Sequence, residues 1–82
     1  MNKNEFWKVI EPLFDKAEDE EIGITGTSFG YVDKTKYEGR EIDYSQWGLD
    51  FKALVSLFEE LDKDGFIDFI DTNNMGYLIY KK

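Results

Sequence analysis

The sequence contains no cysteine, no histidine and only one proline in 82 residues. Without cysteine the chain can form neither a disulfide framework nor a thiolate metal site, and the cytoplasm is the expected compartment. Without histidine it lacks the side chain that most often transfers protons near neutral pH, and it has no thiol nucleophile. We therefore expect no enzyme activity, no cofactor and no metal site.

Basic residues are scarce as well. Ten Lys and Arg residues stand against eighteen Asp and Glu residues, which gives a net charge of −8. A field of that sign repels nucleic acid and anionic lipid, and it speeds the encounter with a basic protein. Nucleic acid is therefore not an expected partner, although the same excess of acid also has a simpler interpretation, which is solubility.

Long apolar runs are absent. No segment approaches the roughly 20 apolar residues that span a bilayer, and residues 1–5 lead into an amphipathic stretch, not a signal-peptide core. We expect no association with a membrane. The length suits one domain over residues 1–82, and a 41% share of hydrophobic residues is enough for a modest core.

Two segments have the apolar period of an amphipathic helix. The first is predicted over residues 4–20 with Asn4 as its N-cap, and Pro12 inside it predicts either a kink or a second start. The second is predicted over residues 50–63, with Asp50 as its N-cap and Asp64-Gly65 at its end. The apolar stripes of the two segments are given by Phe6, Ile10, Leu13, Phe14 and Ala17, and by Phe51, Leu54, Val55, Leu57, Phe58 and Leu61.

The remaining segments favour strands. Alternating apolar residues in the middle of the chain predict short strands near 28–33 and 40–46, although a short helix within 35–47 stays an alternative. Apolar runs at 66–70 and 77–80 flank Asn73, Asn74 and Gly76, which predicts a hairpin because these residues adopt positive φ easily. The expected fold is α+β, with two main amphipathic helices on a small, mostly antiparallel sheet with a C-terminal β-hairpin.

Residues 48–81 resemble the second half of a winged-helix domain. The resemblance rests on Trp47-Gly48-Leu49-Asp50, the following helix, and the hairpin in the place of the wing. It implies a recognition helix, which in that family offers polar and basic side chains to base edges. Here only Lys52 and Ser56 are of that kind, and Glu59 shares their side of the helix. The charge therefore favours contact with a protein over contact with DNA.

Two further patterns have a structural interpretation. Residues 60–71 resemble a calcium loop, but the segment begins with Glu60 and has Asp71 where such a loop needs a bidentate Glu. We interpret it as a helix end that runs into a strand. Residues 23–30 contain three glycines but lack the Gly-Lys-Ser/Thr ending of a phosphate-binding loop, so we predict a turn or strand with close backbone packing.

The hypothesis from sequence is a non-catalytic acidic protein-binding module. It would be an inhibitor or immunity-type protein, bacterial or phage-borne in character, that acts on a basic and possibly nucleic-acid-processing partner, as a monomer or homodimer. Tyr37 is the aromatic residue that is expected to be exposed at the contact. The expected partner-binding residues are Glu18, Asp19, Glu20, Glu21, Tyr37, Glu59, Glu60, Asp62 and Asp64.

Two alternatives stay open. A winged-helix-like transcription regulator would bind DNA weakly through a basic loop that contains Lys34, Lys36 and Arg40. An auxiliary subunit of a larger complex would not be a well-folded monomer on its own.

Overall fold

A computed structural model describes residues 1–17, 20–33, 39–73 and 76–82, which form two α-helices, a short 3₁₀ helix and five strands. This is the predicted α+β architecture. In chain order the elements are α1 (Lys3–Lys16), β1 (Glu20–Thr25), β2 (Ser28–Asp33), β3 (Gly39–Glu41), the 3₁₀ helix (Tyr44–Trp47), α2 (Phe51–Lys63), β4 (Ile67–Asp71) and β5 (Tyr77–Lys81).

The strands form one antiparallel sheet with the order β3-β2-β1-β5-β4. At its centre, Ile22 of β1 lies opposite Tyr31 of β2 on one side and opposite Ile79 of β5 on the other. The two edges of the sheet are β3 and β4. The sheet therefore joins the middle of the chain to its C-terminal hairpin.

Both helices pack on one face of this sheet. The ring of Phe58 on α2 lies 5.0 Å from that of Phe6 on α1, 5.4 Å from that of Phe29 and 5.5 Å from that of Phe69, as centroid distances. Because side chains alternate along a strand, this face takes every second residue of each strand. The buried core consists of Phe6, Ile10, Ile22, Ile24, Phe29, Tyr31, Leu49, Leu54, Leu57, Phe58, Leu61, Ile67 and Ile79.

The limits of α2 are those expected from its local signals. The Asp50 carboxylate accepts a hydrogen bond from the Ala53 N–H at 2.8 Å, which caps the helix. At the other end Gly65 has φ +87°, and the N–H groups of Gly65 and Phe66 donate to the carbonyls of Asp62 and Leu61. This pair of bonds is a Schellman motif, which satisfies the last carbonyls and turns the chain into β4. The interpretation of residues 60–71 as a helix end running into a strand is confirmed.

The N-terminal end of α1 differs from the prediction. The N-cap is Asn2, not Asn4, because the Asn2 side chain accepts from the Glu5 N–H at 2.9 Å. The helix then runs through Pro12 without a second start, in line with its continuous apolar stripe. Pro12 is exposed, so its ring lies on the solvent side of α1.

The C-terminal limit predicted for α1 is also wrong. The helix ends at Lys16, and β1 already begins at Glu20. Strand pairing decides this boundary, because only an extended backbone sends both Ile22 and Ile24 into the core between β2 and β5.

The strand predicted over 40–46 is present only at its beginning. After β3, the Asp43 carboxylate accepts from the Ser45 N–H at 3.0 Å and starts the 3₁₀ helix. This helix places the Trp47 ring 6.4 Å from that of Phe29 at the border of the core. Both predictions for residues 35–47 are therefore correct in part: the strand is found at Gly39–Glu41 and the short helix at Tyr44–Trp47. Residues 35–38 lie outside the described residues.

The C-terminal hairpin is confirmed as β4 and β5. Its turn has Asn73 at φ +71° and Gly76 at φ +100°, as predicted, while Asn74 lies outside the described residues. The second strand of the hairpin also pairs with β1, so the hairpin is part of the larger sheet. The winged-helix resemblance stays a prediction. None of the helices in the described segments is long and apolar enough to cross a membrane.

Candidate functional site

The face of the sheet opposite the helices is the most distinctive surface of the described residues. Ile70 is 45% exposed and Tyr80 is 39% exposed on this face, and Val32 and Leu78 are half-buried. The cross-strand register places apolar and acidic side chains side by side here. We call this surface the open face and define it by Glu21, Val32, Asp68, Ile70, Leu78 and Tyr80.

Glycines form the floor at the centre of the open face. Gly23 of β1 lies opposite Gly30 of β2, and a Cβ added at Gly23 would lie 3.4 Å from Leu78 Cδ2 and 3.6 Å from Val32 Cγ2. The side chains of Val32 and Leu78 therefore reach over Gly23 from the two neighbouring strands. A shallow groove of about 200 Å³ continues from there along β2 toward Gly39 on the edge strand.

Carboxylates border the apolar centre. The Tyr80 hydroxyl donates a hydrogen bond to the Glu21 carboxylate, and this bond is the main reason why the pKa of Tyr80 is raised, with burial adding to it. Asp68 lies opposite Tyr80 on β4, and its Oδ1 is 3.5 Å from the Nζ of Lys82. Adjacent strands are about 4.8 Å apart, so Glu21, Tyr80 and Asp68 form a continuous row across three strands.

The predicted residues at the start of β1 divide between two environments. Glu21 belongs to the open face, whereas Glu20 lies opposite Asp33 in the register of β1 and β2. The Nη2 atom of Arg40 is 3.9 Å from Glu20 Oε1. Of this predicted acidic group, Glu18 and Asp19 lie outside the described residues.

The predicted residues on α2 are not brought together with Glu21. Because α2 packs on the face opposite the open face, the sheet separates Glu21 from the exposed Glu59 and Glu60. Asp62 is half-buried in the last turn. Asp64 caps the helix and pairs with Lys3, and this hydrogen bond raises the pKa of Lys3.

The predicted basic loop is only partly described. Lys34, Lys36 and Tyr37 lie outside the described residues, so the DNA-binding alternative stays a prediction. Arg40 lies on β3, where its guanidinium carbon is 4.7 Å from the centroid of the Tyr31 ring. Burial raises the pKa of Tyr31, and the charge of Arg40 acts in the opposite direction.

A second groove, of about 320 Å³, lies between the end of α1 and the strands β1 and β5. Phe14, Ala17 and Ile79 line its apolar part, and Glu20 and Lys81 stand at its border. Within the described segments, no group of three or more carboxylates is arranged to hold a metal ion.

Comparisons with known proteins identify no relative. A scan against protein-family models, a search of curated proteins and a search of solved structures each found no match.

Sequence reasoning missed most of the open face, although a signal was present. The strands of the hairpin, residues 66–70 and 77–80, are apolar at nearly every position. A sheet that is covered on one side needs apolar residues only at alternate positions. The additional apolar residues, Ile70, Leu78 and Tyr80, are those that point away from the helices.

Proposed function

We propose that this protein is a non-catalytic acidic protein-binding module, an inhibitor or immunity-type protein that acts on a basic and possibly nucleic-acid-processing partner. The observation that supports this function is the open face, where an apolar centre is bordered by carboxylates. Its contact surface would therefore be the sheet and not the acidic side of α2.

The apolar centre matches the anatomy of a protein interface. Interfaces are enriched in aromatic residues at their centre and are polar at the rim, and a few central residues carry most of the binding energy. Tyr80 and Ile70 occupy neighbouring strands and are both strongly exposed, although a domain of this size needs most of its large apolar side chains for its core. Their exposure is accounted for if a partner covers them.

The charge indicates the kind of partner. Glu21 and Asp68 lie on the open face, and Glu41 lies opposite Gly30 on the neighbouring edge strand. Together with the net charge of −8, these carboxylates attract lysine and arginine side chains and repel phosphates. A protein that itself binds nucleic acid presents a surface of the complementary sign.

The proposal is tested by comparing two matched variants. The double variant Ile70→Ala/Tyr80→Ala removes the exposed apolar centre, and the control Lys52→Ala/Ser56→Ala truncates two exposed side chains on α2. Each protein is immobilised and exposed to lysate of the organism that encodes it, at low salt and at about 0.5 M salt, where long-range charge attraction is screened. Bound proteins and bound nucleic acid are both quantified.

We expect the unmodified protein and the control to retain the same basic protein at both salt concentrations, and the Ile70/Tyr80 variant to lose it. Recovery of DNA without any protein would overturn the proposal in favour of the DNA-binding alternative. A different outcome would show that the contact surface is α2: the Ile70/Tyr80 variant retains the partner, and a Glu59→Gln/Glu60→Gln variant loses it.

A further inference from the structure

Strand β4 forms an edge of the sheet whose outward backbone groups have no partner among the described residues. Among the described strands it pairs only with β5, from Ile67 opposite Lys81 to Asp71 opposite Tyr77, without a bulge in the register. An edge strand of this kind displays a row of N–H and C=O groups that another strand can pair with.

The register identifies the groups that point outward. The Lys82 N–H donates to the Phe66 carbonyl, and the Thr72 N–H donates to the Gly76 carbonyl. In an antiparallel pair, hydrogen-bonded and non-hydrogen-bonded positions alternate. Residues 68 and 70 therefore bond to β5 as well, while the N–H and C=O groups of Ile67, Phe69 and Asp71 point away from the sheet.

The other edge of the sheet is built differently. Strand β3 has only three residues, and its central residue is Arg40, so it is short and carries a basic side chain. Short edges and basic edge residues are common protections against unwanted strand pairing. By contrast, β4 has five residues, contains neither lysine nor proline, and includes the exposed Ile70.

The charge on β4 selects the strand that could pair with it. Asp68 and Asp71 are both exposed on this strand. Pairing with a second copy would bring together two chains of charge −8. A strand that carries lysine or arginine would instead be attracted to both aspartates, since opposite charges on neighbouring strands are stabilising.

We propose that β4 binds its partner by strand addition, taking an extended lysine- or arginine-bearing segment of the basic protein as a sixth strand antiparallel or parallel to it. This inference rests on the proposed function and specifies how the partner is held. The outward groups of Ile67, Phe69 and Asp71 form the backbone hydrogen bonds. The exposed side chain of Ile70 then contacts the added segment at the border of the open face.

The test uses the whole protein, labelled with ¹⁵N, and a synthetic ten-residue peptide of alternating lysine and valine. We expect hydrogen exchange of the Ile67, Phe69 and Asp71 amides to slow by about tenfold on saturation, as each gains an acceptor. The amide of Arg40, on the opposite edge, serves as the internal reference and keeps its exchange rate.

A second peptide provides the control for charge. It has the same sequence with every backbone nitrogen methylated, so it keeps the side chains and the charge. It cannot donate a backbone hydrogen bond, and its N-methyl groups hold its carbonyls too far from the β4 backbone to accept one. Strand addition requires that this peptide fails to protect the three amides. Equal binding of both peptides, or absence of protection with the first peptide at its highest soluble concentration, would overturn the inference.

A matched pair of variants tests the edge from the protein side. Asp71→Pro removes one outward N–H without removing a bond to β5. Asp71→Ala keeps that N–H, and it removes the same charge and the same side-chain oxygen, which accepts from the Asn73 N–H at 2.7 Å. We expect peptide affinity to fall about tenfold further in the proline variant than in the alanine variant. Equal affinities, with both variants folded by circular dichroism, would contradict strand addition.

The two proposals can fail separately. If the open-face variants lose the partner while the β4 amides stay unprotected, the protein-binding function stands and strand addition is wrong. If the β4 amides become protected but the open-face variants keep the partner, the edge binds basic segments and the open face is not the contact surface.

Discussion

At the scale of single residues, Tyr80 connects the chemistry of the open face with the stability of the sheet. Its hydroxyl donates to Glu21 on the neighbouring strand, and this interaction requires the phenol to stay protonated. The pKa of Tyr80 is therefore raised from its ordinary value of 10.0. A folded-state pKa above the unfolded value contributes stability below the unfolded pKa, and this contribution is lost as the pH rises through the folded pKa.

We predict that Glu21→Gln lowers the pKa of Tyr80 toward its ordinary value, because the neutral amide does not favour the protonated phenol as strongly as the carboxylate does. The measurement is an NMR titration of the tyrosine ring carbons between neutral and strongly alkaline pH. Glu41→Gln is the matched control, since no hydrogen bond joins Glu41 to Tyr80 among the described residues. An ordinary pKa for Tyr80 in the unmodified protein would contradict the hydrogen bond to Glu21.

At the scale of elements, the pairing of β2 with β3 depends on glycine. A Cβ at Gly30 would lie 2.0 Å from the Arg40 carbonyl oxygen, a distance that only a shift of the β3 backbone can relieve. The same pairing ends with the Ile42 N–H, which donates to the Phe29 carbonyl at 2.7 Å. A strand needs glycine where the backbone of a neighbouring strand comes this close.

We predict that Gly30→Ala destabilises the protein by about 1–3 kcal/mol, the usual range for overpacking, and separates β3 from β2. The free energy is measured by urea unfolding, and the separation by faster hydrogen exchange of the Ile42 amide. Gly26→Ala is the control, because its Cβ would meet open space although Gly26 has φ +64°. We expect this control to cost about 1 kcal/mol or more for the left-handed backbone alone and to leave Ile42 protected.

At the scale of the whole molecule, acidic charge dominates. The ion pairs between described residues, Lys3–Asp64, Arg40–Glu20, Lys81–Glu11 and Lys82–Asp68, all join partly exposed side chains. Such pairs contribute little to stability in water. The excess carboxylates repel one another in the compact state, so repulsion is expected to outweigh these pairs.

We predict that the free energy of unfolding rises by on the order of 1 kcal/mol between roughly 10 mM and 200 mM NaCl, because the screening length falls from roughly 30 Å to below 10 Å. Urea unfolding at several salt concentrations measures it. The Glu59→Gln/Glu60→Gln variant, with two fewer charges on the exposed side of α2, should show a smaller rise. A decrease in stability with added salt would show that the ion pairs outweigh the repulsion.

The sequence by itself determined the parts of the fold whose signals lie within a few residues. Asp50 caps α2 by accepting a hydrogen bond from an N–H only three residues further along the chain. Gly65 ends the helix through its own positive φ, and Asn73 and Gly76 form the hairpin turn in the same way. The acidic character and the class of fold also follow from composition and apolar period. Local patterns suffice for these features because the interacting groups are neighbours in the chain.

Only the tertiary structure decided where α1 ends, where β3 stops and which acidic residues meet. Glu20 lies in a strand and not in the last turn of α1, because β1 pairs with β2 and with the distant β5. For the same reason Glu21 meets Tyr80 and Asp68, while Glu59 lies on the other side of the sheet. Pairing between distant segments places these side chains, and local propensity carries no information about which distant strand will be the neighbour.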